Sequence, residues 1–176
     1  MIRLAAVALL AFALVPAPES LESEAPYHPH FQKRLEARVA RDTTITVTYQ
    51  TVTFDKAGAE KMKPGQAWHL ANAHLETSGD LTIGGQEIEA GRYSLKARKA
   101  KKGGWELVLD APSRFSSKIS DAAHGLETDF DGKAAMFEHL NIDVQPAGDK
   151  KDTTLYLDVR FDAMLARAVI ELPEKK

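Results

Sequence analysis

The 176-residue chain contains no cysteine. That absence removes disulfides, thiolate metal sites, cysteine nucleophiles and a lipid-bearing N-terminal cysteine in one step. Net charge is nearly absent too: 23 Lys and Arg against 25 Asp and Glu leave −2. No global basic field therefore draws in nucleic acid or an anionic membrane. The local run Arg98, Lys99, Lys101, Lys102 ends at Gly103-Gly104 and reads as a solvated hairpin tip. Reaction motifs are missing as well. Ser113, Ser116, Ser117 and Ser120 stand outside any G-x-S-x-G context, and no Gly-rich phosphate cradle occurs. Asp129-Phe130-Asp131-Gly132 resembles part of a calcium loop, but Leu140 stands where the closing glutamate belongs, so it reads as a turn. Carboxylates such as Asp110 and Asp121 have no spacing that selects them as a working pair.

What is present begins with one apolar run. Met1-Ile2-Arg3 is a short positive start, Leu4 to Val15 is unbroken apolar sequence, and Pro16-Ala17-Pro18-Glu19-Ser20 ends it. That order is the layout of a secretory signal peptide. The run falls short of the roughly 18–20 apolar residues a membrane-spanning helix needs. The expected organisation is a signal peptide at 1–20, cleaved somewhere between Ala13 and Ala25, then a linker and short helix at 21–41, then a β-sandwich domain at 42–176. Such a protein is exported, periplasmic or secreted, and keeps no transmembrane anchor after cleavage.

The apolar fraction of 44% is enough for the core of one domain. Glu19 to Pro29 is acidic, Pro-containing and without a period. Phe31, Leu35 and Val39 recur at helical spacing and predict a short amphipathic helix. The period then becomes two. Ile45, Val47 and Tyr49 alternate with threonines, while Val52 and Phe54 fall on the opposite parity, which predicts a bulge or bend near Gln50-Thr51. Leu81 and Ile83 lead into Gly84-Gly85, a two-residue hairpin signal. Tyr93, Leu95 and Ala97 alternate with Arg92, Ser94, Lys96 and Arg98, with Trp105, Leu107 and Leu109 as the hairpin partner. Leu140 to Val144, Leu155 to Phe161 and Ala166 to Leu172 predict three more strands. Ala111 to Lys133 has no sustained period and reads as the longest irregular region, a candidate binding loop. The fold class is mainly β: an antiparallel β-sandwich or open barrel, with a short N-terminal helix after the signal peptide.

Gly65-x-x-Trp68-His69-x-Ala71-Asn72, then Gly85-x-x-Ile88-x-Ala90-Gly91-Arg92-Tyr93-Ser94-Leu95, then Trp105-x-Leu107-x-Leu109 form a recognisable series. It resembles the exported bacterial domain-of-unknown-function family 2911, whose members carry G-x-x-W-R-x-G-A-N, G-x-x-x-x-A-G-x-Y-S-L and W-x-x-x-x-N. The resemblance runs from about Thr43 to Leu172. His69 stands where that family has Arg, Ala71 stands near a Gly, and the segment is one residue shorter before Asn72. An imidazole cannot copy the planar five-donor fork of a guanidinium. The resemblance implies export and a β-rich fold, and no reaction.

Histidine supplies the remaining candidates. His28-Pro29-His30 is a His-x-His pair whose rings share one side of an extended segment, workable spacing for zinc or copper. Asn72 and His74 share strand parity with Trp68 and, together with Tyr93, make a candidate surface for a small polar ligand: an aromatic platform beside hydrogen-bonding groups. The leading expectation is a non-catalytic domain that binds a ligand, a partner or an envelope component, with no cofactor. The alternatives are a metal-binding periplasmic protein using His28 and His30, and a hydrolase with its site in the 111–133 loop.

Overall fold

The computed structural model describes residues 31–148 and 154–172. The elements are β1 (Gln32–Arg38), β2 (Thr44–Gln50), α1 (Lys56–Lys61), β3 (Ala67–Trp68), β4 (His74–Thr77), β5 (Leu81–Ile83) and β6 (Gln86–Ile88). They continue with β7 (Gly91–Lys99), β8 (Trp105–Asp110), β9 (His124–Gly125), β10 (Asp129–Asp131), β11 (Phe137–Pro146), β12 (Thr154–Asp162) and β13 (Met164–Glu171). Two antiparallel sheets result, and neither closes into a barrel. The first runs β1-β2-β4-β7-β8-β9, with β3 also on β7; the second runs β11-β12-β13-β5-β6, with β10 also on β13.

The alternation in the sequence explains why the sheets share one core. Ile45 and Val47 of β2, Leu75 of β4, Leu95 of β7 and Leu107 and Leu109 of β8 are fully buried. They meet Leu157, Val159 and Phe161 of β12 and Ala166, Ala168 and Ile170 of β13 in one continuous cluster. Each buried Val, Leu or Ile contributes about 1.5–3 kcal/mol, so the inner faces dominate stability. The Gly84-Gly85 hairpin forms as expected between Ile83 and Gln86, with φ of 52° and 72°. A Cβ at Gly84 would lie 2.7 Å from Leu126 Cβ and 2.8 Å from the Glu127 nitrogen, so this turn needs glycine for space as well as for its left-handed backbone.

Two expectations are corrected and one is made specific. The segment carrying Phe31, Leu35 and Val39 is not a helix but strand β1, paired along its length with β2. A spacing of four satisfies both periods. The decisive residue is Ala37, which turns inward with Leu35 while Arg34, Glu36 and Arg38 remain exposed. The first sheet therefore begins ahead of the expected boundary at 42. The bulge or bend expected near Gln50-Thr51 takes the form of a departure: the chain leaves the first sheet after Gln50, and Thr53 bridges His139 of the second. Finally, 111–133 is not structureless, since it contains β9 and β10, the latter occupying the Asp129-Phe130-Asp131 stretch that reads as a turn. The signal-peptide segment, His28 and His30 lie outside the described residues. Among the described residues, no helix is long and apolar enough to cross a membrane.

Candidate functional site

Antiparallel register lines up one polar residue from each of four strands across the outer face of the first sheet. Thr48 of β2 faces His74 of β4, His74 faces Ser94 of β7, and Ser94 faces Asp110 of β8. These positions alternate with the buried apolar ones and would ordinarily meet water. Instead, Ser94, Lys96 and Asp110 are 3%, 1% and 3% exposed, because the segment following β8 folds back over them.

That segment is fastened by side chains of the sheet. The Ser113 N–H donates to Ser94 Oγ at 2.8 Å, and Ser94 Oγ donates to the Ser113 carbonyl at 3.1 Å. Lys96 Nζ donates to Asp110 Oδ2 at 2.8 Å and to the Lys118 carbonyl. Asp110 also accepts from the Ala111 N–H at 2.8 Å, the Ser120 N–H at 3.1 Å and the Ser120 hydroxyl. Burial alone would raise the Asp110 pKa. The Lys96 ammonium and the Ser120 and Ala111 donors outweigh it and hold the carboxyl at about 2.

Asn72 provides a further fastening from a strained turn. Leu70, Ala71 and Asn72 all have positive φ, at 45°, 53° and 62°. Each non-glycine residue in this region costs about 1–2 kcal/mol, least for Asn. Complete burial of the Leu70 side chain offsets part of that cost. The Asn72 N–H reaches both the His69 carbonyl at 3.0 Å and His69 Nδ1 at 3.2 Å. With Nδ1 accepting, the neutral His69 ring carries its proton on Nε2. Burial and nearby Lys96 both push the His69 pKa down. Asn72 Oδ1 then accepts the Phe115 N–H at 3.0 Å. Phe115 itself has φ 51° and remains 49% exposed.

Between this fastened segment and the sheet lies an open cleft of about 490 Å³. Gln32, Thr48, Gln50, His74 and Arg92 of the strands, Asn72 of the turn, and Ser113, Arg114 and Phe115 of the folded-back segment line it. Among the described residues, its charged lining residues are Arg92 and Arg114. Neither forms a salt bridge among the described residues, whereas Arg34, Arg98, Arg160 and Arg167 all do. Glu76 is the cross-strand neighbour of Arg92, yet it makes no ion pair there and does not line the cleft. His74 Nδ1 is buried without a well-formed hydrogen bond. Burial lowers the His74 pKa, with Arg92 adding to the effect, so the ring is mostly neutral near pH 7.

The four expected ligand residues divide. Asn72 and His74 line the cleft, but not through shared strand parity with Trp68: the left-handed turn breaks the strand between them. Trp68 faces the other way, into an aromatic cluster with Phe54 at 5.8 Å and Phe161 at 5.3 Å. It helps line a separate apolar cavity of about 320 Å³ beneath α1. Tyr93 lies on the core side of β7, its hydroxyl donating to the Glu89 carbonyl at 2.9 Å, and it does not reach the cleft. Among the described residues, no group of three His, Asp or Glu is placed to hold a metal ion. Sequence reasoning missed Arg92, Arg114 and Phe115. Arg92 reads as an ordinary solvent-side residue of an alternating strand, and nothing local brings Arg114 back to it.

A family model described as a protein of unknown function (DUF2911) matches residues 32–163. No curated protein and no solved structure matches the chain.

Proposed function

The chain belongs to this family of unknown function, and from that premise we propose that it is an exported β domain that binds a small polar ligand without transforming it. The observation that carries this reading is the cleft of about 490 Å³, lined by Asn72, His74 and two arginines that form no salt bridge among the described residues. A volume of that size suits a sugar-sized molecule. Its lining offers amides, hydroxyls, cations and aromatic rings, which are recognition groups. The serines, the lysine and the aspartate beside the cleft are already engaged. Lys96 and Asp110 bind each other, Ser94 and Ser113 share hydrogen bonds, and Ser120 is bonded to Asp110. Catalysis by a serine would require a hydroxyl free to attack and a base beside it. Support for export is the charge, apolar run and breaker order from Met1 to Ser20.

The test is an amide-resolved NMR screen of the ¹⁵N-labelled protein against neutral and charged monosaccharides, amino acids and small carboxylates. Shifts concentrated at His74, Ser94 and Ser113–Phe115 are expected for at least one compound class, with the compound recovered unchanged. Shifts confined to other surfaces, or conversion of a bound compound, would overturn the reading.

A further inference from the structure

Resting on the ligand-binding reading above, we infer that the cleft is a site for an acidic sugar: a hydroxylated ring bearing a carboxylate, of the uronic-acid class. Three independent features converge on that chemistry.

The first is charge. Arg92 comes from β7 and Arg114 from the folded-back segment, and both line the cleft. Among the described residues, no carboxylate lines the space and neither arginine forms a salt bridge. A guanidinium presents paired N–H donors whose geometry matches a carboxylate. An anion supplied from outside is what this arrangement lacks.

The second is the platform. Phe115 is a large apolar side chain left half exposed, on a backbone with φ 51°. A bulky residue is costly in that region and is retained where its surroundings hold it there. Three contacts do so. Its N–H is bonded to Asn72 Oδ1 at 3.0 Å, its ring meets the edge of His69 with centroids 5.6 Å apart, and the Arg114 guanidinium carbon lies 5.7 Å from its centroid. The ring is thus fixed at the cleft edge. An aromatic held in this way accepts the apolar C–H face of a pyranose, while an inorganic anion gains nothing from it.

The third is the set of neutral hydrogen-bonding groups. Gln32 and Gln50, cross-strand partners on β1 and β2, also line the cleft. Their amides can both donate and accept, as ring hydroxyls require. The His74 ring lines the same cleft, with its Nδ1 buried. A simple oxyanion pocket needs donors alone; amides and a neutral imidazole in the same cleft fit a ligand that also donates.

The experiment compares three probes by NMR titration at constant ionic strength: glucuronate, glucose and inorganic phosphate. Glucuronate is expected to bind at the cleft at least tenfold more tightly than either of the others. Arg92→Gln and Arg114→Gln are each expected to weaken it about ten- to a hundredfold, the range for one lost charge-assisted hydrogen bond. Phe115→Ala should weaken glucuronate and leave phosphate unchanged. Both arginines are exposed and form no salt bridge among the described residues, so unchanged amide spectra of the free variants confirm folding. Lys102→Gln, at the β7–β8 hairpin, is the control and should bind as the parent does. If glucose binds at the cleft as well as glucuronate, the acidic-sugar inference fails while the ligand-binding reading stands. If phosphate matches glucuronate, the sugar component fails and the anion preference remains. If no probe in this titration or in the wider screen shifts a cleft amide, both readings fall.

Discussion

The Lys96–Asp110 pair gives the sharpest quantitative test of how the outer face is built. Both residues are almost wholly buried and lie 2.8 Å apart. Removing one member of a buried pair costs about 3–5 kcal/mol, because the other charge is left without compensation. The two members are not equivalent. If Lys96 becomes Met, Asp110 keeps three donors: the Ala111 N–H, the Ser120 N–H and the Ser120 hydroxyl. If Asp110 becomes Leu, the Lys96 ammonium keeps only the Lys118 carbonyl, and both backbone N–H groups lose their acceptor. Lys96→Met should therefore fall near about 3 kcal/mol and Asp110→Leu near or above about 5 kcal/mol. The double variant should cost less than the two singles added together by about 2 kcal/mol, since no buried charge remains.

Urea unfolding followed by tryptophan fluorescence measures these effects. Trp68 and Trp105 both pack in the core against Phe161, so their emission reports global unfolding. With a slope of about 2 kcal/mol per molar urea, Lys96→Met lowers the midpoint by about 1.5 M and Asp110→Leu by about 2.5 M. The reasoning is refuted if Lys96→Met shifts the midpoint by less than about 0.5 M, or if it costs more than Asp110→Leu. Additive singles would also refute it, because the two charges would then not be coupled.

Two further outcomes follow from the same geometry. Asp110 is held at about 2 against an ordinary 3.8, so the unfolded chain binds the extra proton between about pH 4 and pH 2. Its contribution is complete above pH 4 and is lost as the pH falls through that window. It amounts to about 2 kcal/mol in urea midpoints, and an Asp110→Asn variant should lack this part of the acid loss. His74→Val removes a buried nitrogen with no well-formed bond, so it should be at least as stable as the parent, by up to about 1 kcal/mol or a few degrees in Tm, while weakening ligand binding. A lower Tm would show that His74 is there for stability.

The two sheets are legible in the sequence because burial on one face of a strand imposes a period of two. Ile45/Val47/Tyr49, Leu157/Val159/Phe161 and the Gly84-Gly85 turn carry that signal without long-range information. Strand β1 is not legible in the same way. It is an edge strand with one neighbour, and only Leu35 and Ala37 turn inward between exposed charges. The candidate site is harder still, for a definite reason. Ser94 and Lys96 are polar and alternate with core residues, which is what a solvent-facing set looks like. A sheet face covered by a polar segment has the same alternation as one covered by water. What separates the two cases is a group of hydrogen bonds between residues 10 to 43 positions apart, from Asp110–Ser120 to Asn72–Phe115. Periodicity carries no trace of these.

Those long-range bonds also govern what the cleft can do. A surface segment that must order itself around a ligand loses part of the binding energy in doing so. Here Ser94 fixes the segment at Ser113, Asn72 at Phe115, Lys96 at Lys118, and Asp110 at Ser120. Phe115 and Arg114 thus sit between two fastened points before any ligand arrives. The buried ion pair, the strained Asn72 turn and the exposed aromatic ring each look unfavourable taken singly. Together they make one arrangement, in which stability spent beneath the segment keeps the wall of the cleft in place. Weakening Lys96 or Asp110 should therefore reduce ligand affinity at the cleft even though neither residue lines it, and in proportion to the loosening of residues 113–120 rather than to the loss of global stability.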